Sequence, residues 1–240
     1  MQRLLITRPK RDSVSLAEKL RKIGVAPAVQ PMLNVRILGK TVPELDNLQA
    51  LLVTSANGLR AFSLKCPSRK IRVLSVGEAS AEAAKNSGFS EIESADGDVN
   101  DLVELVRAKL SPENGILLHP AGTEVAGNLG ESLRKDGFDY QRLVLYEAQE
   151  IREFQPSILD LLDGKGFWGV LFFSPRTAKI FEDLLEKTKR DQAVVNLDAL
   201  CLSRNVGQAL RLNWKNIRIA NKPNQCSLIE TVESFRSFQS

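Results

Sequence analysis

The sequence predicts an α/β protein built as two similar units, each a parallel sheet with helices on both faces. Three observations carry that reading. Short apolar runs alternate with segments of helical periodicity along the whole chain. The chain also contains itself twice: residues 16–24 recur as 129–137 with six of nine positions identical, and 51–62 and 102–106 return more weakly as 170–181 and 228–232, in the same order. Finally, 240 residues suit two domains of about 120.

The elements follow in order. Residues 4–7 are an apolar run that reads as a strand. A helix over 13–22 places Leu16, Leu20 and Ile23 on one face and stops at Gly24, the residue that takes a left-handed helix end most easily. Residues 29–38 read as extended and 50–54 as a buried strand; a helix over 56–65 starts behind Ser55, a good N-cap. A strand over 72–76, a helix over 79–86 closed by Gly88, a short strand at Ile92 and a helix over 99–110 complete the first copy. The second repeats the scheme from Ile116.

Parallel strands are joined only through crossovers, so this alternation implies parallel sheets covered on both faces. With about five strands, each copy has the size of a flavodoxin-like domain, in which ligands lie beyond the carboxyl ends of the strands. No Gly-, Ser- or Pro-rich linker marks the midpoint. The segments suited to cross between domains are the extended stretches 30–35 and 145–152, one in each copy. Two crossings make one domain discontinuous, formed by both chain ends, and direct attention to a cleft between the two domains.

Composition narrows the chemistry. The hydrophobic content of 43% supports packed cores, and no apolar stretch approaches the roughly 20 residues of a membrane span. The first residues are too short in their apolar part for a signal peptide, so a cytoplasmic protein with no membrane partner is expected. Cys66, Cys201 and Cys226 are odd in number and widely spaced, which suits neither disulfides nor a CxxC site. A net charge of +4, with both signs interleaved along helices, argues against nucleic acid and is compatible with a small anionic ligand. One histidine, His119, leaves no two-histidine metal site, and neither a GxxxxGK[ST] nor a GxGxxG loop is present, so no metal and no cofactor is expected.

The loops after the strands carry the candidates. They are Thr7-Arg8-Pro9, Thr54-Ser55-Ala56-Asn57, Val76-Gly77-Glu78-Ala79-Ser80 and Ala95-Asp96-Gly97-Asp98 in the first copy. In the second they are His119-Pro120-Ala121-Gly122-Thr123, Ser174-Pro175-Arg176-Thr177, Leu202-Ser203-Arg204-Asn205 and Asn221-Lys222-Pro223-Asn224-Gln225. Small and hydroxylated residues prevail, which suits N-caps, and helix N-termini are also where carboxylates and phosphates bind. Tyr146 closes the apolar run Leu143-Val144-Leu145-Tyr146, where its phenol is either satisfied core or aimed at a ligand. Glu78 and Glu147 are possible proton carriers; Trp168 and Trp214 read as packing.

Taken in order, Thr-Arg-Pro after the first strand, Thr-Ser-Ala-Asn, Val-Gly-Glu-x-Ser-Ala, Leu-Tyr-Glu and Phe-Ser-Pro make the chain resemble the uroporphyrinogen-III synthase family from Leu4 to Val232. The resemblance implies two flavodoxin-like domains joined by a two-stranded β-ladder, one of residues 1–34 with 151–240 and one of 38–147, with linkers 35–37 and 148–150. It implies a monomer that closes hydroxymethylbilane, a linear tetrapyrrole with eight carboxylates, to uroporphyrinogen III with inversion of ring D, without cofactor or metal. It further implies a meeting with the upstream bilane-forming deaminase. By the same resemblance Tyr146 assists departure of the hydroxyl, and Thr7, Arg8, Ser55, Ala56, Asn57, Gly77, Ser80, Gly122 and Ser174 hold acetate and propionate groups, largely through backbone amides. The chain departs from the family pattern at Ser203-Arg204-Asn205-Val206 and at Asn224-Gln225. A non-catalytic two-domain sensor of a small anion and a nucleotide-sugar transferase of paired α/β domains are the competing readings.

Overall fold

The computed structural model describes residues 3–39, 41–42, 46–125 and 127–237. The chain divides into one unit of Met1–Asn34 with Gln149–Ser240 and a second of Val35–Ala148. In chain order the elements begin β1 (Arg3–Ile6), α1 (Lys10–Lys22), β2 (Pro27–Val29) and β3 (Leu33–Ile37). Next come β4 (Leu48–Val53), α2 (Ala56–Ser63), β5 (Val73–Ser75), α3 (Glu78–Asn86), β6 (Ile92–Ser94) and α4 (Val99–Lys109). The second copy runs β7 (Ile116–Gly122), α5 (Leu129–Lys135), β8 (Tyr140–Glu150), α6 (Pro156–Asp163), β9 (Phe167–Phe172) and α7 (Pro175–Lys187). It closes with β10 (Asp198–Cys201), α8 (Arg204–Gln208), β11 (Asn216–Ile219) and α9 (Gln225–Ser237).

Local chemistry accounts for these elements. Leu4, Leu5 and Ile6 are all buried, as a central parallel strand with helices on both faces requires. Helix α1 buries Leu16, Ala17 and Leu20 and gives way to Gly24 at φ +72°, a left-handed conformation that glycine adopts without steric cost. Ser55 and Ser174 cap α2 and α7 by accepting from the amides of Asn57 and Thr177. Asp98 and Asp101 form a reciprocal capping box on α4.

The first unit's sheet has the order β11-β10-β9-β1-β2 and the second unit's β6-β5-β4-β7-β8-β3. Leaving β3 aside, the two sheets correspond strand for strand, and all pairings among those strands are parallel. The three sequence echoes fall on equivalent places: α1 and α5 after β1 and β7, which hold the same position in their separate sheets, β4–α2 and β9–α7 on the strands beside them, and α4 and α9 after the edge strands β6 and β11. Each unit therefore takes one β-α-β piece from one copy and the remainder from the other.

One sequence expectation is refined and another corrected. The stretch 29–38, read as extended, is divided between the end of β2 and the whole of β3, with a break at residues 30–32. Pro31 cannot donate to a ladder, and the chain follows β1 only through the amides of Gln30 and Met32, which donate to Ile6 and Thr7. It then enters β3, which runs antiparallel to β8: Ile151 N–H donates to Met32 C=O at 3.0 Å and Leu38 N–H to Leu145 C=O at 2.8 Å. The expected loop at His119-Pro120-Ala121-Gly122 is likewise strand, buried at the end of β7. Pro120 is tolerated there because the β4 ladder ends at Leu118, leaving pairing to β8 alone.

Each sheet has a core on both faces. In the first unit Phe172, Phe181, Trp214 and Phe154 pack edge to face on one side, and Leu4, Ile6, Leu16 and Leu20 fill the other. In the second, α2 and α3 cover Leu51, Val53, Leu118 and Leu145, and α4 and α5 cover Ala50, Leu52, Leu74 and Leu117.

Candidate functional site

The candidate residues fall into one group per unit, both at the carboxyl ends of the parallel strands. In the first unit Thr7 and Arg8 follow β1 and Ser174 follows β9, and these two strands pair through Ile6 and Leu171. Thr7 is fully buried and its hydroxyl donates to Leu171 C=O at 2.7 Å, so its side chain ties the two strands together. The Arg8 guanidinium lies 4.5 Å from the Phe173 ring centroid and donates through Nη1 to Gln225 Oε1 at 2.8 Å. Both contacts fix the position of the guanidinium. Gln225 is one of the two departures from the family pattern; the structure turns it toward a candidate residue. Its neighbour Asn224 accepts from Ser227 N–H at the start of α9. The N-terminus of α1, behind Pro9, and that of α8, behind Ser203, carry no side-chain cap, which leaves backbone N–H groups at this edge.

In the second unit Ser55, Ala56 and Asn57 open α2 after β4, and Gly77 opens α3 after the neighbouring β5 without a side-chain cap. Ser80 is buried one turn into α3. A Cβ at Gly77 would meet nothing within 4 Å, so the backbone there faces open space. Asn57 spends its side-chain oxygen on Arg60 at 3.3 Å. Gly122 ends β7 and is covered by the Tyr146 ring: a Cβ there would stand 2.9 Å from Cζ and 3.1 Å from the hydroxyl.

Tyr146 does not end its strand, as the apolar run suggested; β8 continues to Glu150. Its aim comes from a bulge. Residues 117–121 of β7 pair with 140–144 of β8 in steady register, and Gly122 then pairs with Tyr146, leaving Leu145 as the extra residue. Adjacent side chains of a regular strand point to opposite faces, yet Leu145 and Tyr146 both pack in the cluster under α2. The bulge turns the ring to the α2 face, 3.7 Å from a Cβ built on Gly58. Tyr146 is 8% exposed, and its hydroxyl has no hydrogen-bond partner among the described residues.

Beneath this edge runs a buried polar chain that the motifs did not reveal. His119 Nδ1 lies 2.6 Å from the Tyr140 hydroxyl and Nε2 lies 2.9 Å from Thr54 Oγ1. Burial, helped by the nearby Arg142 cation, lowers His119 to about 4, and burial raises Tyr140. A neutral imidazole donates through one nitrogen and accepts through the other, matching two hydroxyl neighbours. Arg142 also donates through Nη2 to Gly122 C=O at 2.6 Å and Thr123 C=O at 2.7 Å. The apolar run Leu143 to Tyr146 does not alternate and so fixes no face for any of its residues, and nothing local marks the bulge or Arg142.

Other candidates resolve differently. Glu147 pairs with Arg36 at 2.9 Å and Glu78 is exposed in the first turn of α3. Trp214 is core, and Trp168 packs half-buried against the α1 side of the sheet. Burial pushes the Cys201 thiol up to about 12, making it a core thiol without nucleophilic character at neutral pH. A cavity of about 450 Å³ opens in the first unit beside Phe167, Trp168 and Asp198, at the amino ends of β9 and β10 and so at the opposite end of the sheet from these loops. Among the described residues no three or more His, Cys, Asp or Glu side chains group as a metal site, and no helix is long and apolar enough to cross a membrane.

Comparison with known proteins agrees with this layout. The chain is 24% identical over 243 residues to the Porphyrin biosynthesis protein HemD of Ruminiclostridium josui, covering 95% of this chain but 47% of that one, so it spans about half the length of that relative. It is 24% identical over 211 residues to the Uroporphyrinogen-III synthase of Chlorobaculum parvum, covering 81% and 83%. Its fold is shared with the solved uroporphyrinogen-III synthetase of Helicobacter pylori (TM-score 0.62, 16% identity, 98% and 100% covered). A mutant Thermus thermophilus uroporphyrinogen III synthase also shares it (TM-score 0.56, 16% identity, 99% of each chain). The family described as Uroporphyrinogen-III synthase HemD matches residues 14–230, and the chain belongs to that family.

Proposed function

We propose that this protein is a uroporphyrinogen-III synthase, a lyase that closes hydroxymethylbilane to uroporphyrinogen III with inversion of ring D. Family membership supports the reading, and the observation that carries it is a design common to the two carboxyl edges, helix starts without side-chain caps, joined by the open backbone at Gly77 in one unit and the oriented Arg8 guanidinium in the other, all suited to a polycarboxylate.

In this reading the loops do most of the work. The C–O bond of the terminal hydroxymethyl group breaks and the hydroxyl leaves as water with a proton from the Tyr146 phenol, which regains one from the pyrrole N–H as the azafulvene forms. The azafulvene so formed is electrophilic by itself. The backbone amides around Ser55, Ala56, Asn57, Gly77, Ser80 and Gly122, and those around Thr7, Arg8 and Ser174, are the groups that hold carboxylates so that the correct ring carbon attacks. This is catalysis by positioning and electrostatics. The protein works as a cytoplasmic monomer that receives its unstable substrate from the bilane-forming deaminase.

The test is a coupled assay with enzymatically generated hydroxymethylbilane, no added cofactor and chelator present. Spontaneous closure gives isomer I, so chromatography of the oxidised products separates the outcomes. Isomer III is expected; isomer I alone refutes the reading in favour of an anion-binding protein without catalysis.

A further inference from the structure

Arg142 sits on β8 four residues before Tyr146, on the other side of the bulged residue Leu145. Its Nη2 donates to two successive carbonyls, Gly122 and Thr123, where β7 leaves the sheet. Thr123 N–H in turn donates to Tyr146 C=O at 3.0 Å. The last turn of β7 is thus pinned to β8 before and after the extra residue. On the far side Leu145 C=O accepts from the N–H of Leu38, the residue that follows β3, so the bulged peptide is held from both sides. A bulge leaves its extra residue unpaired in one ladder and is kept in place only by such compensating bonds. Without them the strand gains by slipping back into register, and a one-residue slip sends the next side chain to the other face. For Tyr146 that face is the one covered by α4 and α5, where Tyr140, Leu133 and Leu102 already fill the space.

We propose that Arg142 is a positioning residue for Tyr146: its double hydrogen bond holds the bulge that presents the phenol on the α2 side, over Gly122 and beside the Ser55–Asn57 turn. This rests on the proposed cyclisation for its kinetic consequence, but its structural part can be read without substrate. The guanidinium acts through the backbone and does not itself touch the reacting atoms. Gly122 is the second half of the device, since only a residue without Cβ leaves room for the ring.

The sequence has two tyrosines, so protein grown on 3-fluorotyrosine gives two fluorine resonances, assigned with Tyr140→Phe. Arg142→Met keeps the stem of the side chain and removes the donors; Arg142→Lys keeps the charge and shortens the reach. The Tyr146 resonance is expected to move and broaden in Arg142→Met, and to do so less in Arg142→Lys. Gly122→Ala, which displaces the ring while keeping the Arg142 side chain and its backbone acceptors, moves the same line. In single-turnover cyclisation Arg142→Met lowers the rate by up to about 10²-fold, the lower end of general-acid effects. KM stays within about twofold, and the Arg142→Met/Tyr146→Phe double variant is no slower than Tyr146→Phe alone, as expected of coupled residues. An unmoved Tyr146 line in a folded Arg142→Met or Arg142→Lys protein overturns the proposal, as do rate effects that multiply. If Arg142→Met does not fold, the Arg142→Lys line position decides. A wild type that makes no isomer III refutes the cyclase reading and leaves the fluorine result to judge the bulge by itself.

Discussion

Glu182 and Trp214, 32 residues apart in the chain, meet in a buried hydrogen bond of 2.8 Å between Oε1 and the indole Nε1. The same carboxylate, which is fully buried, also accepts from the amides of Arg211 and Leu212. One side chain on α7 thereby satisfies three N–H groups of the turn that leads from α8 to β11 and anchors the indole in the core. Glu182→Gln puts an amide donor against donors and is expected to cost about 1–3 kcal/mol; Glu182→Leu, which leaves all three N–H groups unmet, costs more. Urea titration followed by Trp fluorescence measures both, and an unchanged midpoint in Glu182→Leu contradicts the assignment.

His119 makes stability depend on pH. Its folded value of about 4 lies below the ordinary 6.5, because burial disfavours the imidazolium. The unfolded chain therefore binds the proton first. The stabilising contribution is fully present above 6.5 and is lost as pH falls to 4, in total about 3 kcal/mol. His119→Gln should flatten the profile over that window. The chain has one histidine, so its ring proton resonance is unambiguous; titration near 6.5 in the folded protein would rule this out.

The phenol of Tyr146 and the glycine at 77 should separate rate from outcome. Tyr146→Phe is expected to slow cyclisation by up to about 10²-fold while isomer III remains the product, because ring inversion depends on how the loops fold the bilane. Gly77→Val fills the space in front of the α3 N-terminus and is expected to raise KM and release substrate that closes to isomer I. Full single-turnover rate in Tyr146→Phe assigns the tyrosine a structural role only.

The division of the two copies between the sheets bears on fragments. Residues 38–147 hold β4 to β7 and the paired part of β8, and should fold alone as judged by circular dichroism and amide dispersion. Residues 116–240 keep β7 and β8 without β4, and β9 without β1, so each sheet is cut at its centre. Cooperative unfolding of 116–240 alone would show that the strand exchange is not essential to either core.

Much of this protein is written in relations between near neighbours. The helix faces of Leu16 and Leu20, the stop at Gly24, the caps at Ser55 and Ser174 and the α/β alternation all depend on residues one to four positions apart, which a single sequence displays. The internal repeat showed that there are two units of one kind. Where local pattern and strand register disagree, only the tertiary structure decides. Pro31 divides an extended stretch between two strands, and Pro120 sits within a strand because its neighbour's ladder has already ended. The face taken by Tyr146 depends on Leu145 being skipped by a partner strand more than 20 residues away, with Arg142 holding the place. The same holds for Arg8, whose grip on Gln225 spans 217 positions. Such bonds join residues whose separation carries no periodic signature, so they exist only once the sheets have brought the strand ends together.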